Sequence, residues 1–149
     1  MDIKFVAFES LGVRSQATFV QSRNANVFID PSAALAPRRF GLPPHIREAE
    51  KLVEAFDRIE DMLRDSDIVI FTHYHYDHHD PGRFIDPELY RGKTVFVKDP
   101  EKNINISQRI RASRFLSMLR DRVYALHIAD GREVYLGKTK IRISGPLYH

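Results

Sequence analysis

Imidazoles and carboxylates are concentrated in one segment, Thr72-His73-Tyr74-His75-Tyr76-Asp77-His78-His79-Asp80. Positions 73, 75 and 77 are spaced by two, so an extended backbone would project His73, His75 and Asp77 to one side and Tyr74 and Tyr76 to the other. His78 breaks this alternation. A turn there would return its ring to the same side of the loop but aim it at a different point, which suits two ions rather than one. Imidazoles with a carboxylate and no thiolate match Zn, Fe, Mn or Co, and the donor set leaves that choice open. Two such ions roughly 3.5 to 4 Å apart would acidify a shared water toward hydroxide near neutral pH, which makes hydrolysis the natural chemistry.

His-rich runs also arise as solvated loops, adventitious metal sites or expression tags. This one is internal, which excludes a terminal tag, and its H-x-H-x-D-H order is more specific than a lone pair of histidines. The 149 residues include no cysteine. Disulfides, thiol nucleophiles, zinc ribbons and iron–sulfur ligation are thereby excluded, and any metal must rest on His and carboxylate. With 23 Lys and Arg against 20 Asp and Glu the net charge is +3, which permits a nucleic-acid partner without arguing for one. Hydrophobic residues make up 43% of the chain, enough for a packed core. No run approaches the roughly 18 apolar residues of a membrane span, and Met1 to Phe8 lacks a basic region followed by an apolar one. The expectation is one domain, or part of one, over residues 1–149, cytoplasmic and without a membrane partner.

The elements that must position the cluster follow from periodicity. Ile3–Phe8, Ala17–Val20 and Asn26–Ile29 read as strands of an antiparallel meander, and residues 31–44, punctuated by Pro, as a surface loop. From His45 to Arg64, Ala49, Leu52, Val53, Phe56, Ile59 and Leu63 recur at helical spacing. Ile68–Phe71 is an uninterrupted apolar run, the pattern of a strand buried on both faces, and it leads straight into the histidines. A strand at Thr94–Val97 follows, then a helix capped by Ser107 with Ala112, Phe115, Leu116 and Leu119 on one stripe. Strands at Val123–Ile128, Glu133–Leu136 and Lys140–Ser144 close the chain, joined by Asp130-Gly131 and Gly137-Lys138 turns.

His73-Tyr74-His75-Tyr76-Asp77-His78, with its lead-in Ile68-Val69-Ile70-Phe71-Thr72, resembles the signature of the metallo-β-lactamase superfamily. Phe28-Ile29-Asp30-Pro31 is similar to that family's early strand ending in Asp-Pro, and Ser144-Gly145-Pro146-Leu147-Tyr148-His149 to the later strand whose loop supplies another metal-binding His. Glu9-Ser10-Leu11-Gly12-Val13-Arg14-Ser15 and Asn103-Ile104-Asn105-Ile106-Ser107-Gln108-Arg109 resemble blocks of an archaeal branch of predicted hydrolases. The resemblance implies an αββα sandwich, present here as its N-terminal half with a mixed, mostly antiparallel sheet and helices on one face. It implies a metal-dependent hydrolase using a metal-bound hydroxide. His73, His75 and His149 would hold one ion, Asp77 and His78 the second, with Zn the leading candidate and Fe or Mn alternatives. Asp77 would be the catalytic residue that orients the attacking water, and Asp30 would support the ligands from beneath. The family's later bridging Asp and final His come from a second half, so the chain is expected to be truncated or completed by a C-terminal half or a second copy. Alone it would leave one apolar sheet face uncovered.

The remaining candidates carry bland expectations. His79 reads as a solvated or packing residue, His127 as a core or edge histidine, and His45 as a surface residue. Ser10, Arg14 and Ser15 occupy a loop of the kind that borders the metal cleft in the family, although an ordinary polar hairpin loop explains them as well. Arg109, Arg111, Arg114, Arg120 and Arg122 could form a phosphate-binding face or a solvated helix surface. The substrate is therefore a small molecule or a phosphodiester, with a nuclease or phosphodiesterase as the second reading. A non-catalytic, metal-stabilised RNA-binding module is the third.

Overall fold

The computed structural model describes residues 1–146 apart from positions 11, 37 and 39. Among the described residues nine strands and two α-helices follow one another: β1 (Asp2–Ser10), β2 (Val13–Gln21), β3 (Asn26–Ile29), β4 (Ala34–Leu35), α1 (Ile46–Arg64), β5 (Ile68–Phe71), β6 (Thr94–Val97), α2 (Ile106–Leu119), β7 (Ala125–Ile128), β8 (Glu133–Leu136) and β9 (Thr139–Arg142). A turn of 3-10 helix, Pro87–Tyr90, precedes β6. The architecture is mixed α/β. In the main sheet the order is β1-β2-β3-β5-β6-β7, with the two residues of β4 beside β2. Pairing is antiparallel from β1 to β3 and parallel from β3 through β7, each later strand being returned in the same direction by a crossover that carries α1, a long loop with the 3-10 turn, or α2.

Both helices cover the same face of the sheet. Leu52, Ala55, Phe56, Ile59 and Leu63 of α1 and Ala112, Phe115, Leu116 and Leu119 of α2 pack there with Phe19, Phe28, Val69, Phe71, Val95 and Val97. Val53 does not join them and stays 57% exposed. It precedes Ala55 and Phe56 by two and three positions and lies off the seam they share with Leu52 and Ile59. His45 is the N-cap of α1: its ring accepts from the Arg47 amide while Glu48 reaches back to the His45 amide, a capping box. The cap of α2 is Asn105 and not Ser107, the Asn105 side-chain oxygen accepting from the Gln108 amide at 2.9 Å.

Residues 31–44 are more than a surface loop, since Pro31, Ser32 and Ala33 are buried and β4 hydrogen-bonds to β2. The second face of the sheet is also not left bare. Hairpin β8–β9 lies against it, alternating Val134, Leu136, Ile141 and Ile143 inward, and Val27, Ile68, Ile70 and Phe96 beneath are no more than 5% exposed. What stays open on that face is β1. Ile3 pairs with Val20, Phe5 with Thr18 and Phe8 with Gln16, all turned away from the helices, and the three are 49%, 73% and 44% exposed.

The cap assignment has a measurable consequence. Asn105→Ala should cost about 1 kcal/mol in denaturant unfolding, whereas Ser107→Ala, inside the first turn, should change stability by less than half of that. The reverse ranking would restore Ser107 as the cap.

Candidate metal centre

Four parallel strands end side by side, and the residue after each end faces one region. Asp30 follows β3, Thr72 and His73 follow β5, Lys98 follows β6, and Ala129 and Asp130 follow β7. The carboxyl ends of parallel strands are where open α/β sheets place ligand sites, because the backbone turns away there and leaves a crevice. A cleft of about 720 Å³ opens at this edge, lined by His73, His75, Lys98, Asn103, Gln108 and Asp130 among others.

Asp30 ties this edge together. It is 2% exposed and held at φ +48°, left-handed backbone that costs a non-glycine residue on the order of 1 kcal/mol. Its amide donates to the Ile70 carbonyl, which fixes the bend. Oδ1 accepts from the Thr72 amide at 2.8 Å, and Oδ2 accepts from the Thr72 hydroxyl at 2.6 Å and from His78 Nδ1 at 2.8 Å. A carboxylate only accepts, so the Thr72 proton and the His78 Nδ1 proton both point at Asp30. The Thr72 oxygen is then left to accept from His73 Nδ1, 3.0 Å away. By this chain of donors His73 and His78 both carry their proton on Nδ1 and keep a bare Nε2.

The bare Nε2 of His73 faces Nδ1 of His75 at 3.1 Å. Two imidazole nitrogens bound at about 2.05 Å to one tetrahedral ion would stand about 3.3 Å apart. His73 and His75 are thus close to a ligand pair, with His75 Nδ1 donating to His73 when no ion is bound. Burial is the main reason His73 stays neutral, its pKa lowered to about 4, with the neighbouring His78 adding to the effect. His75 is also shifted down, by partial burial first, with Asp77 pulling the other way and Arg111, His78 and Arg14 adding to the downward shift. The alternation predicted for the segment holds only to His75. There the chain makes one tight turn, the amides of His78 and His79 both donating to the His75 carbonyl, which brings His78 back against His73 with ring centroids 3.8 Å apart. Asp77 lies beside it, Oδ2 being 3.6 Å from His78 Nε2.

His73, His75, Asp77 and His78 therefore occupy one neighbourhood. Among the described residues, no three His, Asp or Glu side chains converge around a single point as a complete metal site. His149, the third ligand expected for the first ion, lies outside the described residues.

The sequence assigns no role to Gln108 or Asp80, and it presents Arg111 only as part of a possible phosphate-binding face. Gln108 and Arg111, one turn apart on α2, grip the backbone of Tyr74: its amide donates to Gln108 Oε1 at 3.2 Å and its carbonyl accepts from Arg111 Nη1 at 3.4 Å. Asp80 is buried and its Oδ2 accepts the amides of Gly82, Arg83, Phe84 and Ile85 at 2.8 to 3.0 Å, closing the loop after the cluster. The Asp-Pro-Gly order was a readable signal for that turn; nothing comparable marked Gln108. His79 is a packing residue, fully buried among Tyr74, Tyr76 and Phe115, with Nδ1 bonded to the His75 carbonyl and no partner for Nε2 among the described residues. His127 sits on edge strand β7 against Phe96. Ser10, Arg14 and Ser15 lie in strands rather than in a loop, Ser10 ending β1 and the other two in β2; Ser15 spends its hydroxyl internally on the Ser32 carbonyl, while Arg14 stays exposed, 3.7 Å from Glu9. The five arginines do not form one face. Arg109 binds the Glu101 carbonyl, Arg122 pairs with Glu88, and Arg111 turns to the metal loop.

No family model matches the chain, and no solved structure does. It is 50% identical to a protein named "UPF0282 protein" in Sulfurisphaera tokodaii over 150 aligned residues, which take in the whole of this chain and 49% of that protein. Proteins of the same name in Metallosphaera sedula and Saccharolobus islandicus are 49% and 48% identical across the whole chain. The chain spans about half the length of these archaeal relatives. Among the described residues, no helix is long and apolar enough to cross a membrane.

His79 provides a test in a chelator-treated sample. Burial lowers its pKa to about 4, whereas in the unfolded chain it titrates near 6.5. Between these values the unfolded state binds the extra proton, so stability should fall as pH drops from about 6.5 toward 4. His79→Asn keeps a donor in place of Nδ1 and removes the titration. It should flatten the slope by up to about 1.4 kcal/mol per pH unit; an unchanged slope would mean that His79 is not held neutral.

Proposed function

We propose that the chain is the N-terminal part of a metallo-β-lactamase-like, metal-dependent hydrolase. The observation that carries this reading is the facing pair His73 Nε2 and His75 Nδ1, 3.1 Å apart, with the His73 tautomer set through Thr72 by the buried carboxylate of Asp30. An imidazole whose bare nitrogen is fixed by a carboxylate-anchored hydrogen bond and faces a second imidazole suits a borderline divalent ion. His73 and His75 would hold the first ion, together with His149; Asp77 and His78 would hold the second, with Zn, Fe or Mn as occupants. Such ions supply Lewis acidity and a water acidified toward neutral pH. Within the chain, Asp30 keeps His78 oriented, Asp77 beside His78 would orient the attacking water, and α2 fixes the loop through the Tyr74 backbone.

The layer order supports the fold part of the reading. Helices cover one face of the sheet and a hairpin covers the other, which are three successive layers of an αββα sandwich. The open apolar strip of Ile3, Phe5 and Phe8 is then where the remaining length found in the relatives would pack, or a second copy of the chain. Phosphodiester cleavage remains the second reading among hydrolases.

Metal analysis paired with an ester, lactone and phosphodiester screen, run on a protein of the relatives' full length, tests the proposal. It should bind up to two divalent ions per chain and turn over one of these classes. Asp77→Ala should abolish turnover, by 10³-fold or more, with the fold intact; full activity in that variant, or a metal-free protein that turns over equally well, would contradict the assignment.

A further inference from the structure

Tyr76 is flanked by two guanidinium groups, those of Arg83 and Arg111, each 4.6 Å from the ring centroid. Arg83 comes from the loop closed by Asp80 and Arg111 from α2, so two separate elements deliver a cation to the same residue of the metal loop. Neither guanidinium pairs with an Asp or Glu among the described residues, unlike Arg64, Arg91 and Arg122, which all do. Arg83 makes no side-chain hydrogen bond there, and Arg111 makes one long bond to the Tyr74 carbonyl. Bringing two like charges to one ring without a carboxylate between them costs energy, which an anion arriving at the site would recover. Stacking on an aromatic face also occupies only the planar surface of a guanidinium. Its N–H edge stays open, held in the fork geometry that matches an oxyanion.

The position makes this more than a surface feature. Tyr76 lies between His75 and Asp77 in sequence, and Arg111 is one helical turn from Gln108, which lines the cleft beside His73 and His75. We propose that Arg83 and Arg111, presented on Tyr76, bind an oxyanion group of the substrate, a phosphoryl or carboxylate, next to the metal centre. The inference rests on the hydrolase reading and narrows it to anionic substrates.

Zinc uptake and anion binding by the same samples separate the two. Zinc-loaded protein is titrated with inorganic phosphate and, in parallel, with acetate, comparing wild type with Arg83→Gln and Arg111→Lys. Arg83 is exposed, so its replacement should leave the fold unchanged; Arg111→Lys keeps the charge and removes the fork. Arg83→Gln should bind zinc as wild type does, Arg111→Lys is compared at its own zinc saturation because Arg111 also holds the Tyr74 carbonyl, and both should bind the preferred anion about tenfold more weakly; whichever of phosphate and acetate binds more tightly identifies the group. Normal zinc uptake with anion affinity unchanged in both variants, or with no anion binding by wild type, would overturn the inference while leaving the metal reading standing. Failure of the wild type to bind zinc would overturn both.

Discussion

A single buried carboxylate accepts three hydrogen bonds from the residues that the candidate site is made of, and the rest of the arrangement depends on it. Asp30 takes the Thr72 amide, the Thr72 hydroxyl and His78 Nδ1. Bonds of this kind to a charged acceptor contribute about 1.5 to 3 kcal/mol each, against roughly 1 kcal/mol for the left-handed backbone that aims the side chain. Any one of these bonds is enough to offset the strain, and the three together hold the side chain in place. Because a carboxylate cannot donate, the same bonds determine where the protons of His73 and His78 sit, and so which nitrogens remain able to bind an ion.

The sheet makes such a carboxylate possible. Parallel pairing of β3, β5, β6 and β7 brings their carboxyl ends into line, so that residues 30, 72, 98 and 130, far apart in the chain, become neighbours at one edge. Lys98 and Asp130 form an ion pair across that edge, and the Tyr74 hydroxyl donates to the Lys98 carbonyl at 2.5 Å. The His loop is thus anchored from below by β3, from the side by β6, and from above by Gln108 and Arg111. Helix α2 has its own apolar stripe buried against the sheet, which makes it a firm platform for that last contact.

Much of this was legible in the sequence, for reasons tied to particular residues. The buried strand Ile68–Phe71 and the stripes of α1 and α2 were visible because burial on two faces, or on one helical face, leaves a periodic mark. The H-x-H-x-D-H order and Asp30-Pro31 pointed to side chains that the structure brings into one neighbourhood. Contacts between distant segments left no such mark. Gln108 reads as an ordinary polar helix residue, and its bond to the Tyr74 amide exists only because α2 crosses over the loop. The hairpin β8–β9 was foreseen as strands, yet its placement over Ile70 and Phe96 was not, since alternation tells which side chains turn inward without telling which surface receives them. Asn105 and Ser107 are both good caps, and one residue pair cannot be separated by propensity alone.

The central claim is that Asp30 imposes the tautomers that leave Nε2 of His73 and of His78 bare, so that His73 Nε2 can share an ion with His75 Nδ1 once that nitrogen gives up its proton. Nitrogen-15 NMR of the histidine side chains, recorded without metal and after addition of zinc, reads this directly. The account predicts protonated Nδ1 on His73 and His78 without metal, and zinc-induced shifts of His73 Nε2 and His75 Nδ1 together. A proton on His73 Nε2, or imidazole resonances that zinc leaves unmoved, would contradict it.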